Sequence, residues 1–305
     1  LTISTNAVNR VYDGTTNAAG IAVASAGTLF TGDTLSGGTF AFADRNKGIN
    51  KLINVSAVTL NDGNGGANYT VSYAANPGGS ISQRTLSTWN GLAGDGLWSA
   101  AGNWDALPDA SNVQSVVIPV GASLAYDLPG ATNLQTLSSS GSLGIASGTL
   151  SMSGALTTAG FSQSGGVLNG GGSLNVGGSF SQSGGSINLS GPVVIAQTSG
   201  NLNVGSITAS GITLSAPTGS ISQGGALLTP GLLNVQSQTG ISLVNPGNQI
   251  SNFSGMVTGT GHVDLDNTGA LNIVQLTTAN GGITVTNTGG IVTQNAVSAT
   301  GGQIS

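Results

Sequence analysis

The sequence predicts an all-β chain: a small β domain followed by a right-handed parallel β-helix, a solenoid of about nine coils. Three observations predict it. The composition is stripped of helix formers, the first 84 residues alternate β-prone runs with turn clusters, and the last 175 or so repeat with a period near 20. Of 305 residues, five are Lys or Arg and ten are acidic, every one an Asp; Glu and Cys are absent, and Gly takes 52 positions. Helices normally draw on Ala, Leu, Glu, Lys, Gln and Arg, so an α-rich fold is excluded. Regularly spaced Ile, Val and Leu, with a mean hydropathy of +0.21, argue against a disordered Gly/Ser-rich chain.

The same counts exclude functions. Five cations against a net charge of −5 cannot build the basic stripe that neutralises phosphates, so no nucleic-acid partner is expected. No run of 18 apolar residues occurs, so no membrane insertion by a helix is expected. Without Cys there is no disulfide or thiol chemistry. The chain opens on Leu1 with no basic, apolar leader, and reads as a mature or excised piece of a longer protein.

Composition divides the chain at about 84 and 127. All five basic residues (Arg10, Arg45, Lys47, Lys51, Arg84) lie in residues 1–84, all three Trp lie in 85–127, and residues 128–261 hold no ionisable side chain. In residues 1–84, β-prone runs at 20–24, 39–43, 52–60 and 69–74 are separated by Gly, Asn and Asp clusters, the spacing of a compact sheet. Val11-Tyr12-Asp13-Gly14-Thr15-Thr16, Phe42-Ala43-Asp44-Arg45-Asn46-Lys47-Gly48 and Ala67-Asn68-Tyr69-Thr70 follow in order. Together they resemble the YDG module of large bacterial surface adhesins, and the resemblance implies a stalk or spacer rather than a catalytic domain.

Residues 85–127 carry Trp89-Asn90-Gly91, Gly96-Leu97-Trp98-Ser99, Asn103-Trp104 and Pro108. This resembles the segment that opens β-helices in autotransporter-like surface proteins. An open solenoid end exposes apolar core and unpaired strand groups, and bulky indoles can cover it. The alternative is a sugar-stacking platform of Trp89, Trp98 and Trp104.

In residues 128–305 the repeat is explicit. Gly141, Gly160, Ser179, Gly200, Gly219, Gly240, Gly261, Gly282 and Gly302 follow one another at steps of 19 to 21. Each opens a strand with apolar residues two apart, as in Leu143/Ile145, Leu202/Val204, Ile241/Leu243, Val263/Leu265 and Ile283/Val285. Alternate strand residues face opposite ways, so these point inward, and stacked coils build a continuous core. Coils about 4.8 Å apart would make a rod about 40 Å long. A second apolar column is expected at Ile212, Leu232, Leu271 and Ile291, half a period away. Phe-Ser-Gln-Ser-Gly-Gly recurs at 161 and 180, and Asn267-Thr268-Gly269 and Asn287-Thr288-Gly289 read as equivalent corners with a side-chain ladder. A sandwich or propeller is the competing architecture, but blades need about 40–45 residues with aromatic signatures. The repeats also resemble those of filamentous haemagglutinin-type adhesins exported by two-partner secretion. That resemblance implies an extracellular, outer-membrane-associated location and a role in adhesion or biofilm.

Sites are scarce. Many β-helices are polysaccharide lyases or hydrolases, yet residues 128–305 contain no Lys or Arg to take a proton. The one pair of carboxylates for a hydrolase is Asp264 and Asp266, in an outer-face row with His262 at about 7 Å per step. Asp62, Asn64 and Asn68 place oxygens at alternate positions as a Ca²⁺ loop does, but the closing Glu is missing. Asp105 and Asp109 flank Pro108 as further weak metal ligands. No cofactor and no enzymatic activity are expected. The reading is a structural and adhesive segment of a secreted bacterial surface protein; the alternatives are a polysaccharide-active β-helix enzyme and a carbohydrate-binding module. Expected partners are further modules or copies of the chain at both ends, another YDG-like module preceding Leu1 and more coils following Ser305, together with a host or matrix glycan.

Overall fold

The structure is a computed structural model that describes all 305 residues. It contains no α-helix, only a 3-10 turn at Ala101–Asn103. The N-terminal module uses seven strands: β1 (Thr2–Thr5), β2 (Asn9–Val11), β3 (Ala22–Ala26), β4 (Thr34–Phe42), β5 (Gly48–Asn61), β6 (Ser72–Tyr73) and β7 (Asn76–Ser82). They form a three-stranded sheet in the order β3-β1-β6 and a four-stranded sheet in the order β2-β7-β5-β4. The β-prone runs of the sequence fall on β3 to β6, while β1, β2 and β7 are short or polar and carried no such signal. Ile3, Tyr12, Phe42, Ile53 and Ile81 are the most deeply buried apolar side chains of the module, each at most 2% exposed.

A single residue, Gln83, separates β7 from β8 (Arg84–Thr88), which pairs in parallel with β9 (Val113–Ile118) and so already belongs to the solenoid. From there the chain winds through about nine turns of parallel β-solenoid. Each early turn carries three strand segments. Residues 136–139 stack on 155–158 and 173–176, residues 142–145 on 160–163 and 179–182, and Thr149–Met152 on Val167–Gly170 and Ser186–Leu189. Inside each column one apolar residue sits on the next: Leu137, Leu156, Leu174, Val193, Ile212 and Leu233 in the first. Leu202, Ile221, Ile241, Val263 and Ile283 do the same in the second, all at most 1% exposed. Burying each such side chain stabilises the fold by about 1.5–3 kcal/mol.

The expected second apolar column needs correction. Ile212 lies in the first column and pairs with Leu233, whereas Leu271 and Ile291 pair with each other in the third. Leu232 is 41% exposed at the bulge between Thr229 and Leu232, and its neighbour Leu233 points inward. A bulge adds one residue and flips the alternation, which a fixed period cannot follow.

Corners follow the same stacking logic. Gly148, Gly166 and Gly185 turn successive coils at φ near +60 to +71°, and a Cβ on Gly148 would meet the Leu128 carbonyl oxygen at 2.0 Å. The hexamer repeat is two coils in register. Phe161 stacks on Phe180 with centroids 5.6 Å apart, and Gln182 Nε2 donates to Gln163 Oε1 at 3.1 Å. At the later corners Asn takes over: Asn267 donates to Asn287 Oδ1 at 3.0 Å and accepts the Ile250 N–H at 2.7 Å. The second column is interrupted once, because residues 179–182 and Leu202–Val204 share no backbone ladder and the five later strands form a separate sheet.

Candidate functional site

Chemistry-bearing side chains gather at the junction between module and solenoid, and the Trp segment builds its floor. Trp89, Trp98 and Trp104 are 7%, 0% and 5% exposed. Trp104 packs edge-on to Trp89 at 5.0 Å and tilted against Trp98 at 4.6 Å, and Trp98 meets Tyr126 at 5.3 Å. Both deepest indoles are tied to backbone: Trp98 Nε1 donates to the Pro108 carbonyl at 2.7 Å and Trp104 Nε1 to the Trp98 carbonyl at 2.8 Å. A sugar stacks on an exposed ring face, and these rings have their faces in the core, so the platform assigned to Trp89, Trp98 and Trp104 is not formed.

Asp105 and Asp109 hold cations of the chain rather than a metal. Asp105 pairs with Arg84 at 2.8 Å and accepts Ser87 Oγ at 2.7 Å and the Thr88 N–H at 3.0 Å. Partial burial pushes its carboxyl upward, but the Thr88 N–H, Ser87 and Arg84 outweigh it and the pKa lies below the usual value. Asp109 receives the Arg45 guanidinium on Oδ2 and the Tyr12 hydroxyl on Oδ1 at 3.0 Å. The same hydroxyl lies 3.0 Å from the Leu107 carbonyl. Burial first, and then the Asp109 charge, drive the Tyr12 pKa well above the ordinary phenol.

Asn112, fully buried, completes the contact. Its Oδ1 accepts the Lys47 N–H at 2.8 Å, and its Nδ2 donates to Asn46 Oδ1 at 2.9 Å and Asp109 Oδ1 at 2.7 Å. Tyr12, Arg45, Asn46 and Lys47 thus meet residues 107–112 across sequence separations of 64 to 97. Sequence reasoning did not join them. The available signal was Asp109 itself, an acid placed after all five basic residues of the chain.

Beside this contact lies a polar groove of about 500 Å³, lined by Lys47, Gln83, Gln114, Asn133, Gln135 and neighbouring Ser and Gly residues. Four of the five basic side chains pair with Asp, and Lys47 is the one that does not.

The other sequence candidates lie elsewhere. Asp62 accepts the N–H groups of Asn64, Gly66 and Asn68 at 2.8 to 3.1 Å, and Asn64 Nδ2 donates to Asn68 Oδ1. These bonds, the one from Gly66 foremost, hold the Asp62 carboxyl below its usual pKa. Asp62, Asn64 and Asn68 therefore order their own turn. Asp264 and Asp266 alternate with the buried Val263 and Leu265, as a row on the outer face requires, and face Thr284 and Thr286 of the next coil. His262 Nδ1 accepts the Gly282 N–H at 3.0 Å, which ties the ring to the backbone.

A family model described as the YDG domain matches residues 1–77. Neither the curated proteins nor the solved structures contain a match to this chain.

Proposed function

We propose that the chain is a structural and adhesive segment of a large secreted bacterial surface protein, a stalk or fibre piece and not an enzyme. The observation that supports this is a hydrophobic core of 53 buried residues that runs from Val8 and Tyr12 in the module, through the three Trp, to Ile283 near the far end of the rod. A continuous core couples a YDG module and a solenoid into one stiff body, which suits a spacer that must carry load. The location follows from the same reading: outside the cell, associated with the outer membrane. A host or matrix glycan, where one binds, would meet the polar groove beside Lys47, since amides, hydroxyls and an unpaired ammonium are open to it there.

The test is display of residues 1–305 on a non-adherent bacterium, followed by counts of cells retained on host cells and abiotic surfaces. Retention above that of the bare strain is expected. Equal retention would remove the adhesive half of the proposal. Incubation of the purified chain with pectin, alginate and host-type glycans should leave chain length unchanged, and release of new chain ends would replace the proposal with the enzyme reading.

A further inference from the structure

The signature residues of the YDG module are used at the junction, and nothing in the adhesive reading requires that. Tyr12 and Gly14 come from the first motif and Arg45, Asn46 and Lys47 from the second. The Tyr12 hydroxyl, the Arg45 guanidinium, the Asn46 side chain and the Lys47 N–H all engage Asp109 or Asn112, while the Gly14 carbonyl accepts from Arg45 at 3.4 Å. Three of these groups are hydrogen-bond donors and one is an acceptor, matched to one carboxylate and one carboxamide.

The partner segment is a tight turn. The Asn112 N–H closes onto the Asp109 carbonyl at 3.0 Å, and Ala110 sits at φ +46°, in the left-handed region that a residue with a Cβ seldom adopts. Such a conformation persists where its surroundings over-determine it. Here they do so from both sides: the module grips Asp109 and Asn112, and the Asn133 N–H of the next coil grips the Ala110 carbonyl at 2.6 Å.

We infer that the YDG signature is a docking socket for an Asp-x-x-Asn turn, and that the module is the N-terminal lid of the solenoid, seated by that turn. A solenoid end exposes apolar core and unpaired strand groups. Val8, Tyr12 and Ile81 of the module share one core with Leu107 and Val113 at that end, and the Arg84 N–H donates to the Asn112 carbonyl at 2.9 Å. The kind of partner the socket fits is a strand-entry turn that offers a carboxylate and, three residues later, a carboxamide. The inference goes beyond the adhesive reading and does not depend on it, so loss of adhesion in the display assay leaves it standing.

The experiment is native-state amide hydrogen exchange on the full chain, read at Lys47 and Arg84, with Ile195 and Leu243 in the middle of the rod as controls. Arg45→Ala, Asp109→Ala and Asn112→Ala should each speed exchange at Lys47 and Arg84 at least tenfold and leave the controls unchanged. Arg45→Ala combined with Asp109→Ala should exceed the larger single effect by less than twofold, because both remove one shared contact. Asp109→Asn, which keeps an acceptor for Tyr12, should fall between wild type and Asp109→Ala. Unchanged exchange at Lys47 and Arg84, an equal rise at the controls, or an additive double variant would overturn the inference. Should Asp109→Ala not fold, Tyr12→Phe removes one hydroxyl from the socket and serves the same comparison.

Discussion

The side chain of Gln197 stands in for the main chain of its own coil: its Oε1 accepts the Phe180 N–H at 2.8 Å. At the equivalent place in later coils, Leu202, Ile221 and Ile241 donate to the main-chain carbonyls of Ser220, Gly240 and His262 at 2.8 to 2.9 Å. Gln182 makes the matching substitution at the other end of the gap, accepting the Gly205 N–H on Oε1 at 2.8 Å. Two amide side chains thus bridge the one break in the second column.

Removing that bridge should be costly in a local way. Gln197→Leu leaves the Phe180 N–H without its partner, a loss of about 1–3 kcal/mol for a buried donor. Chemical denaturation should show that decrease, and exchange at the Phe180 amide should rise more than at Phe161. A variant as stable as the parent would mean that the gap closes by itself.

Inward positions should be intolerant and outward ones indifferent. Leu243 is fully buried and stacks on Leu265 of the next coil, and Leu243→Ala should cost about 2–5 kcal/mol. Ser242, its outward neighbour, should tolerate Ala within about 0.5 kcal/mol. Similar midpoints for the two variants in urea would contradict the assignment of faces.

The asparagine corners make a sharper case, because the side chains there replace strand partners. Asn248, fully buried, accepts the Leu227 N–H at 2.9 Å and donates to the carbonyls of Leu243 and Asp266. Asn248→Ala strands several polar groups at once and should cost at least about 2 kcal/mol. Asn248→Asp keeps the acceptor but loses the donors and adds a charge, so it should rescue nothing. Rescue by Asp would show that only the Leu227 bond matters.

Stability should also fall at high pH through Tyr12. Its folded pKa is raised, so the folded state keeps a proton that the unfolded state loses above about pH 10. The contribution is therefore whole below about pH 10 and declines as pH rises beyond it. Acid acts through the opposite sign. Asp105 has a lowered folded pKa, so its contribution is present above about pH 4 and is lost as pH falls below that. Denaturant titrations of the parent and Tyr12→Phe between about pH 9 and 11 should show a shallower alkaline decline in the variant. Identical declines would place the proton elsewhere.

Much of the rod was legible in the sequence. Leu143/Ile145, Leu202/Val204 and Ile241/Leu243 could be assigned inward because alternation along a strand and repetition between coils are both local patterns, and each survives translation along the chain. The tandem hexamers and the Asn267/Asn287 corners were readable for the same reason. Which column an apolar residue joins was not: a single bulge exchanges Leu232 for Leu233, and coils that vary from 18 residues (Leu143 to Phe161) to 22 (Ile241 to Val263) blur three columns into two. The fate of the indoles and of the YDG signature lay further out of reach. Whether Trp98 faces water or core depends on its packing against Trp104 and Tyr126, and whether Arg45 is free or bound to Asp109 depends on how the module seats on the first coil. That contact joins residues 64 to 97 positions apart, and no periodicity spans it. Repetition along the chain determined the solenoid; only tertiary packing decided the rest, because the indoles close on Tyr126 of a later coil and Tyr12 and Arg45 find Asp109 across the seam between module and solenoid.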